Sequence, residues 1–282
     1  MAYLTGLCLT AGFTVSSLGY VIGEPNDLGN ILAAQLDWPE DKKSFRLTLF
    51  SSFGILGIAI GALGAGKVVH IGRRKLTMLM CLVQIGATAL TLILNLYTLC
   101  AARLILGLSA GVQLVAMSLY VSETVPDEKK GLFGFAINFG LVTGLTISLL
   151  LGFFLPGKDD PALKTTNFWK IVLGMPGAIA LVNLLLWLLV FRSESLGFLV
   201  EEKRWNEAKR LVQRIYKDVN PLFLKEKVDA LADETRNRQS TNMADRASAG
   251  AASKRTLGYM EVLTKPLYRR ATYLCLLLAL FN

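Results

Sequence analysis

The stretch LILGLSAGVQLVAMSLYV, residues 104–121, contains no Asp, Glu, Lys or Arg. As an α-helix rising about 1.5 Å per residue, it is nearly as long as the roughly 30 Å hydrocarbon core of a bilayer. Similar uncharged runs occur on both sides of it, at 4–23, 47–66, 76–97, 132–155 and 171–191. We therefore predict an all-α membrane protein whose residues 1–191 form a bundle of six transmembrane helices.

The composition supports a chain that lies mostly in lipid. Hydrophobic residues make up 53% of the 282 positions and charged residues only 18%, whereas a soluble domain of this size carries more charge. The cysteines all fall in apolar stretches, which predicts buried side chains rather than disulfides or metal ligands. The single histidine, His70, lies in a loop, and no nucleophile is paired with a base. We expect neither enzyme activity nor a metal or other cofactor.

Lys and Arg are distributed unevenly between alternate loops. Placing the second and fourth loops and everything after residue 191 on one side gives that side 23 of the 30 basic residues. By the positive-inside rule this is the cytoplasm-equivalent side, and the N-terminus shares it. The net charge of +9 is explained by this topology, so nucleic-acid binding is not expected. The first run lacks a preceding basic residue and a cleavage site near Gly23, so we expect no signal peptide.

Residues 192–270 form a polar region that is predicted to be helical on the cytoplasmic side. Apolar residues at helical spacing between 194 and 218 predict an amphipathic helix, and shorter helices are predicted before 236 and at 257–263. The segment 237–255 lacks apolar periodicity and predicts a flexible linker. The last segment, 271–282, is apolar but too short to cross a bilayer, and it resembles the start of a truncated seventh span.

Small residues and charged turns recur at defined positions along these runs. Glycines spaced by four residues, which favour close helix packing, are Gly57 and Gly61, Gly107 and Gly111, and Gly140 and Gly144. The loop motifs, in chain order, are Gly72-Arg73-Arg74, the R-x3-G-x3-G pattern from Arg103, Glu123 with Pro126 and Lys130-Gly131, Ser193-Glu194-Ser195, and Lys203 to Ala208. In this order and spacing they resemble the sugar porter family of the major facilitator superfamily, which includes the facilitative glucose transporters.

The resemblance covers the N-terminal six-helix half of a major facilitator fold plus the cytoplasmic helical segment. It implies a gating ion-pair network on the cytoplasmic side, formed by Arg73, Arg74, Glu123, Lys130 and Glu194. Such pairs bias a two-state equilibrium when they exist in only one state. It also implies that Asn138 and Gln113, and with them Gln84, line half of a central sugar site, although each amide could instead form an interhelical hydrogen bond. Glu194 is expected to pair with the basic turn.

The sequence departs from the family pattern at several positions. The family carries an acidic residue or Asn where this chain has Val21 and Val69, a proline at Ser118, an arginine at Lys130 and a PESPR motif where this chain reads SESLG. Proton-coupled members use an intramembrane carboxylate, and none is expected inside the six runs. The sequence therefore favours uniport if the protein transports at all.

Two hypotheses remain open from the sequence. The first is a carrier half that moves a small polar solute, a sugar by resemblance, and works with a second six-helix half. The second is a non-transporting, degenerate half-transporter that serves as a structural subunit of a larger membrane complex, or pairs with itself. Both place the chain in a lipid bilayer as a multi-pass protein of the plasma membrane or an organelle membrane.

Overall fold

A computed structural model describes residues 2–126, 129–156 and 166–215, and this part of the chain is helical without strands. Its helices are α1 Ala2–Gln35, α2 Glu40–Val68, α3 Arg73–Thr91, α4 Leu96–Thr124, α5 Lys130–Gly152, α6 Phe168–Leu185, α7 Leu196–Glu201 and α8 Trp205–Ile215. A 3-10 turn at Val69–Ile71 joins α2 to α3, and a π-helical turn at Leu186–Val190 extends α6.

Five of these helices are long and apolar enough to cross a membrane by length and composition. They are the segments Tyr3–Asn26, Glu40–Ile71, Leu96–Thr124, Lys130–Gly152 and Phe168–Val190. Helix α3 has 19 residues and begins with three basic residues, so its apolar part is shorter than that of the others. It is nevertheless packed between α4 and α6. The order of six helices expected from the uncharged runs is confirmed.

The third predicted span extends too far. Helix α3 ends at Thr91, a short turn follows, and Asn95 accepts a hydrogen bond from the backbone N–H of Tyr97 at 3.1 Å to cap α4. An Asn at this position satisfies one of the free amides at a helix start. Residues 96–103 therefore belong to α4, although an uncharged run alone assigns part of them to the preceding span.

Helix α1 packs along α5, and α2 packs along α4, in each case through facing small residues. A Cβ on Gly140 would overlap the carbonyl oxygen of Gly12, and one on Gly144 would overlap that of Ser16. Gly107 and Gly111 meet the carbonyl oxygens of Gly54 and Ile58 in the same way. Lipid provides no hydrophobic drive for helix association, so such backbone contact supplies the attraction. The predicted packing role of these glycines is confirmed.

One end of the bundle, called here the basic end, gathers the N-terminus of α1, the α2–α3 turn, the last turn of α4 and helices α7 and α8. The apolar face of α8, with Ala208, Leu211, Val212 and Ile215, is buried in the same cluster as Leu4 and Leu199. The predicted amphipathic helix after 194 is thus two helices, α7 and α8, that cover this end. The predicted helices beyond 215, the linker 237–255 and the segment 271–282 lie outside the described residues.

Candidate functional site

The α2–α3 turn is built around Gly72, whose φ of 115° is a backbone conformation that favours glycine. This turn starts α3 with Arg73 and points the first amides of the helix at Glu194. A Cβ on Gly72 would lie 3.0 Å from the Oε1 atom of Glu194. The glycine therefore provides both the conformation and the room for the carboxylate.

The Glu194 carboxylate binds the backbone of the basic turn. It accepts hydrogen bonds from the N–H groups of Arg74 at 3.0 Å and of Lys75 at 3.2 Å, and it is only 5% exposed. The first amides of a helix lack partners within the helix, and their partial positive charge attracts an anion. Glu194 is therefore an N-terminal cap for α3 supplied from the segment after α6.

Arg73 joins three elements through its guanidinium group. Its Nη2 donates to Glu123 on α4 at 2.6 Å, its Nη1 donates to Glu201 on α7 at 3.2 Å, and the group lies 5.4 Å from the ring centre of Phe198. Glu123 also accepts from the Ser195 hydroxyl at 2.6 Å. The planar fork of Arg lets one side chain bind two carboxylates at once. The Arg73 side chain is 8% exposed and that of Glu123 20%, so water screens this pair only weakly, whereas Glu201 is 53% exposed and its pair with Arg73 is screened more.

The Arg74 guanidinium donates to carbonyl oxygens at the end of α6. Its Nε lies 2.8 Å from the carbonyl oxygen of Phe191, and its Nη2 lies 2.8 Å from that of Trp187. The last carbonyls of a helix lack partners within the helix, so a basic side chain stabilises this end. Glu194 therefore contacts the basic turn, as expected, but through backbone amides rather than as an ion pair, and the Arg74 guanidinium caps α6 instead.

The charged cluster consists of Arg73, Arg74, Glu123, Glu194, Ser195 and Glu201. The structure brings together four of the five residues predicted for the gating network. Lys130 begins α5 with an exposed side chain, and its membership in the network stays a prediction. Sequence reasoning missed Glu201 and Ser195. Ser195 precedes an apolar run and caps α7, which is a recognisable helix-start signal, whereas no sequence signal separates Glu201 from the neighbouring Glu202.

The three predicted amides lie in different surroundings. Asn138 is exposed on α5, and its side chain makes no hydrogen bond within the described residues. Gln113 is fully buried on α4, where it accepts from the Ser17 hydroxyl at 3.2 Å and donates to the Cys81 sulfur at 3.4 Å. Gln84 donates to Ser17 at 3.2 Å. Gln84 and Gln113 thus form interhelical hydrogen bonds between α1, α3 and α4, and Asn138 alone lies on an open surface.

A buried ion pair between α1 and α4 contradicts the expectation of no intramembrane carboxylate. Arg103 Nη1 donates to Glu24 at 2.7 Å, and the two side chains are 1% and 0% exposed. Both residues lie inside candidate spans, because each helix continues past the charge that bounded its uncharged run. The opposite charges compensate each other, which makes their burial tolerable. The argument for uniport from a missing carboxylate is therefore wrong.

Comparison with known proteins decides the family. The family model described as "Sugar (and other) transporter" matches residues 1–282, the whole chain. The chain belongs to this family. It is accordingly an integral, multi-pass membrane protein of a transporter family rather than an enzyme.

Curated members of the sugar transporter family are similar to most of the chain. Hexose transporter 1 of Plasmodium falciparum is 28% identical over 276 residues, which cover 92% of this chain and 52% of that protein. Hexose transporter 1 of Toxoplasma gondii is 29% identical over 60% of this chain and 31% of its own length. A bovine relative, solute carrier family 2, facilitated glucose transporter member 8, is 28% identical over 59% of this chain and 32% of its own length.

Solved structures of the major facilitator superfamily share the fold. The proton:xylose symporter XylE, bound to a bromodeoxyglucose, superposes with a TM-score of 0.72 at 18% identity over 86% of this chain and 55% of that one. A partially occluded, inward-open form of XylE from E. coli gives the same TM-score at 16% identity. The chain spans about half the length of the most similar of these proteins. The expectation of an N-terminal half of a major facilitator fold is confirmed.

Proposed function

We propose that this chain is the N-terminal half of a membrane carrier for a sugar, with a hexose as the expected class. The observation that carries the proposal is the family match along the entire chain, and the charged cluster on the basic end supports it. Relatives over most of the chain are hexose transporters. Neither these comparisons nor the described residues supply an observation in favour of the structural-subunit alternative.

The sugar-facing surface in this proposal includes Asn138. An exposed amide without a hydrogen bond is costly on a membrane helix unless a polar partner meets it. A sugar hydroxyl, or a polar group of a facing helix bundle, supplies such a partner. Gln113 is hydrogen-bonded to Ser17 and Cys81 inside the half, so we propose Asn138 alone of these two amides as a sugar ligand. The remaining walls of the site come from six further helices, in the same or another polypeptide.

The charged cluster acts in this proposal as the inner gate of the carrier. It connects the α2–α3 turn, α4 and α7 at the basic end, through contacts of the buried Arg73 and Glu194 side chains and an outer partner, Glu201, that is about half exposed. A state that keeps these contacts is favoured over one that separates them. Lys130, at the start of α5, is proposed as a further member on the same end.

The proposal is tested by transport with the assembled carrier. The chain is purified in mild detergent from the membrane that holds it, its partners are identified by native mass spectrometry, and the assembly is reconstituted in liposomes with radiolabelled glucose and other hexoses. We expect saturable uptake that Asn138→Ala strongly reduces. The matched control is Thr146→Val on the same helix, whose exposed hydroxyl already bonds the carbonyl oxygen of Val142 at 2.9 Å.

The same preparation distinguishes a carrier half from a carrier made of two copies and from a structural subunit. The purified 282-residue chain alone should show no saturable uptake. It provides one side of the proposed site, which leaves the other sugar hydroxyls either hydrated or without a hydrogen-bond partner. Uptake by the chain alone that Asn138→Ala abolishes would instead establish a carrier made of two copies. A folded assembly that moves no hexose, and in which the chain copurifies with other membrane subunits, would overturn the proposal and support a structural role.

A further inference from the structure

Two prolines lie inside membrane helices of the described chain, Pro25 in α1 and Pro176 in α6. Proline has no N–H group, so the carbonyl four residues earlier loses its helical donor. The affected carbonyls belong to Val21 and Val172. In lipid, where no water replaces the missing donor, such a carbonyl must find a partner elsewhere in the protein.

In both helices a side chain from a neighbouring helix donates a hydrogen bond to the carbonyl that the proline leaves without a donor. Arg103 of α4 donates from Nη2 to the carbonyl oxygen of Val21 at 2.8 Å. Tyr20 of α1 donates from its hydroxyl to the carbonyl oxygen of Val172 at 2.8 Å. Both donors are almost completely buried, at 1% and 0% exposure. The same local solution therefore occurs twice.

The two contacts share helix α1. Tyr20, which donates to α6, is the chain neighbour of Val21, which accepts from α4. The three helices are thus connected in the order α4, α1, α6 at one level of the bundle. Thr91 of α3 reinforces the second contact, since its hydroxyl lies 3.4 Å from the carbonyl oxygen of Leu173.

We propose that Arg103 and Tyr20 are positioning residues that complete the two proline-opened helices and so hold α4, α1 and α6 in a single alignment. The proposal concerns the architecture of this half and does not depend on which solute is carried. Each donor should therefore contribute to stability only when its proline is present. The Tyr20 hydroxyl is needed because Pro176 leaves the Val172 carbonyl without a donor, and Nη2 of Arg103 is needed because Pro25 does the same to the Val21 carbonyl.

The residue types fit these roles. Arg103 directs Nη1 at Glu24 and Nη2 at the Val21 carbonyl, which a single ammonium group at this position would not reproduce. Glu24 balances the charge, the ring of Phe50 lies 4.8 Å from the guanidinium carbon, and Gly54 leaves room for the group. Tyr20 needs to supply only one neutral donor, so a phenol suffices.

Paired substitutions test this dependence in the purified full chain in detergent, with the midpoint temperature of unfolding as the readout. Tyr20→Phe removes only a hydroxyl, and Pro176→Ala restores the N–H that the Val172 carbonyl lacks. We expect Tyr20→Phe to lower the midpoint when residue 176 is proline and to have a clearly smaller effect when it is alanine. Arg103→Lys, which keeps a charge for Glu24, should show the same dependence on residue 25.

The crossed pairs are the matched controls. Tyr20→Phe combined with Pro25→Ala, and Arg103→Lys combined with Pro176→Ala, should give additive losses, because neither alanine restores the relevant donor. A general weakening of the bundle would be relieved equally by both alanines. Equal losses in proline and alanine backgrounds would overturn the proposal.

Hydrogen exchange of the single variants provides an independent measurement if an alanine variant does not fold. Tyr20→Phe should speed amide exchange in α6 around residue 176 relative to α3, because the helix opening there is no longer bridged. Unchanged exchange in α6 would likewise contradict the positioning role of Tyr20.

Discussion

At the scale of single residues, the buried pair of Glu24 and Arg103 is a position where replacing one partner should strongly lower stability. Both are buried inside spans, and each has one polar atom without a partner among the described residues, Glu24 Oε1 and Arg103 Nε. The pair is therefore not a source of large net stability. Its importance lies in what remains when one partner is removed, because a lone buried charge has no compensation.

Neutralising Glu24 alone should destabilise the protein more than neutralising both partners. We expect Glu24→Gln to cost about 3–5 kcal/mol of unfolding free energy, since Arg103 then keeps an unpaired buried charge. The double variant Glu24→Gln, Arg103→Met should recover part of that loss, although the Val21 carbonyl loses its donor. Chemical unfolding of the purified chain in mixed micelles measures both. A double variant less stable than Glu24→Gln would show that the contacts of Arg103 outweigh its charge.

Gly72 offers a second prediction at this scale. Its φ of 115° and the nearby Glu194 carboxylate both oppose a side chain, so Gly72→Ala should lose about 1–3 kcal/mol. Gly66→Ala is the matched control, because a Cβ there meets nothing within 4 Å. The midpoints of thermal unfolding compare the two. Equal midpoints for both variants would mean that the turn relaxes without disturbing the cluster.

At the scale of helices, the sequence predicts which faces approach closely but not which helices they meet. Glycines at four-residue spacing mark the faces, because only small residues let backbones touch. That α1 meets α5, and α2 meets α4, depends on tertiary packing between helices that are separated in the chain by at least one other helix. Pairwise choice among six similar apolar helices therefore cannot be read from spacing alone.

The contact between α1 and α5 can be tested on one helix. Gly144→Ala places a methyl group against the backbone of Ser16, and overpacking of this kind costs about 1–3 kcal/mol. Gly134→Ala, on the same helix but facing open space, should be neutral or slightly stabilising because alanine favours helix. Unfolding in detergent distinguishes them. If Gly134→Ala were the more damaging change, the exposed face of α5 would be covered by another surface in the sample.

The limits of the third span show what residue composition misses at this scale. An uncharged run continues through Thr91 to Tyr97, yet the helix ends inside it because Asn95 starts the next helix. Caps act over two or three residues, whereas a hydropathy window averages over about twenty. The requirement that a run contain no charged residue placed Glu24 and Arg103 outside the membrane helices, since each of them bounds an uncharged run.

At the scale of the whole molecule, the loop motifs were sufficient to predict the family and the half-bundle, because several of them occur in register. They also predicted most of the charged cluster. They did not predict how its members pair: Glu194 contacts amides rather than a guanidinium, and Glu201 enters from α7. These details depend on the path of the chain after α6, for which charge patterns carry no geometric information.

The predicted topology is testable with single cysteines in a cysteine-free background. Helix α2 runs from Glu40 to Val68, so the exposed Lys42 lies near its start and the exposed Lys75, in the first turn of α3, lies just beyond its end. We expect Lys42→Cys and Lys75→Cys to react from opposite sides of sealed vesicles, with Lys75 on the same side as Lys209 of α8. Labelling of positions 42 and 75 from the same side would contradict the six-helix arrangement.

The cap on α3 also determines when, during synthesis of the chain, the basic end can be completed. The Glu194 carboxylate reaches the Arg74 amide from 120 residues further along the chain, and Glu201 reaches Arg73 from 128 residues away. At about 5–20 residues per second, a ribosome needs about 6–24 seconds to make the intervening 120 residues. Glu123, the other acid partner of Arg73, is made after only 50 residues, so during most of that interval the first turn of α3 has Glu123 but neither Glu194 nor Glu201. The basic end of this half is therefore completed last, after its sixth helix has emerged.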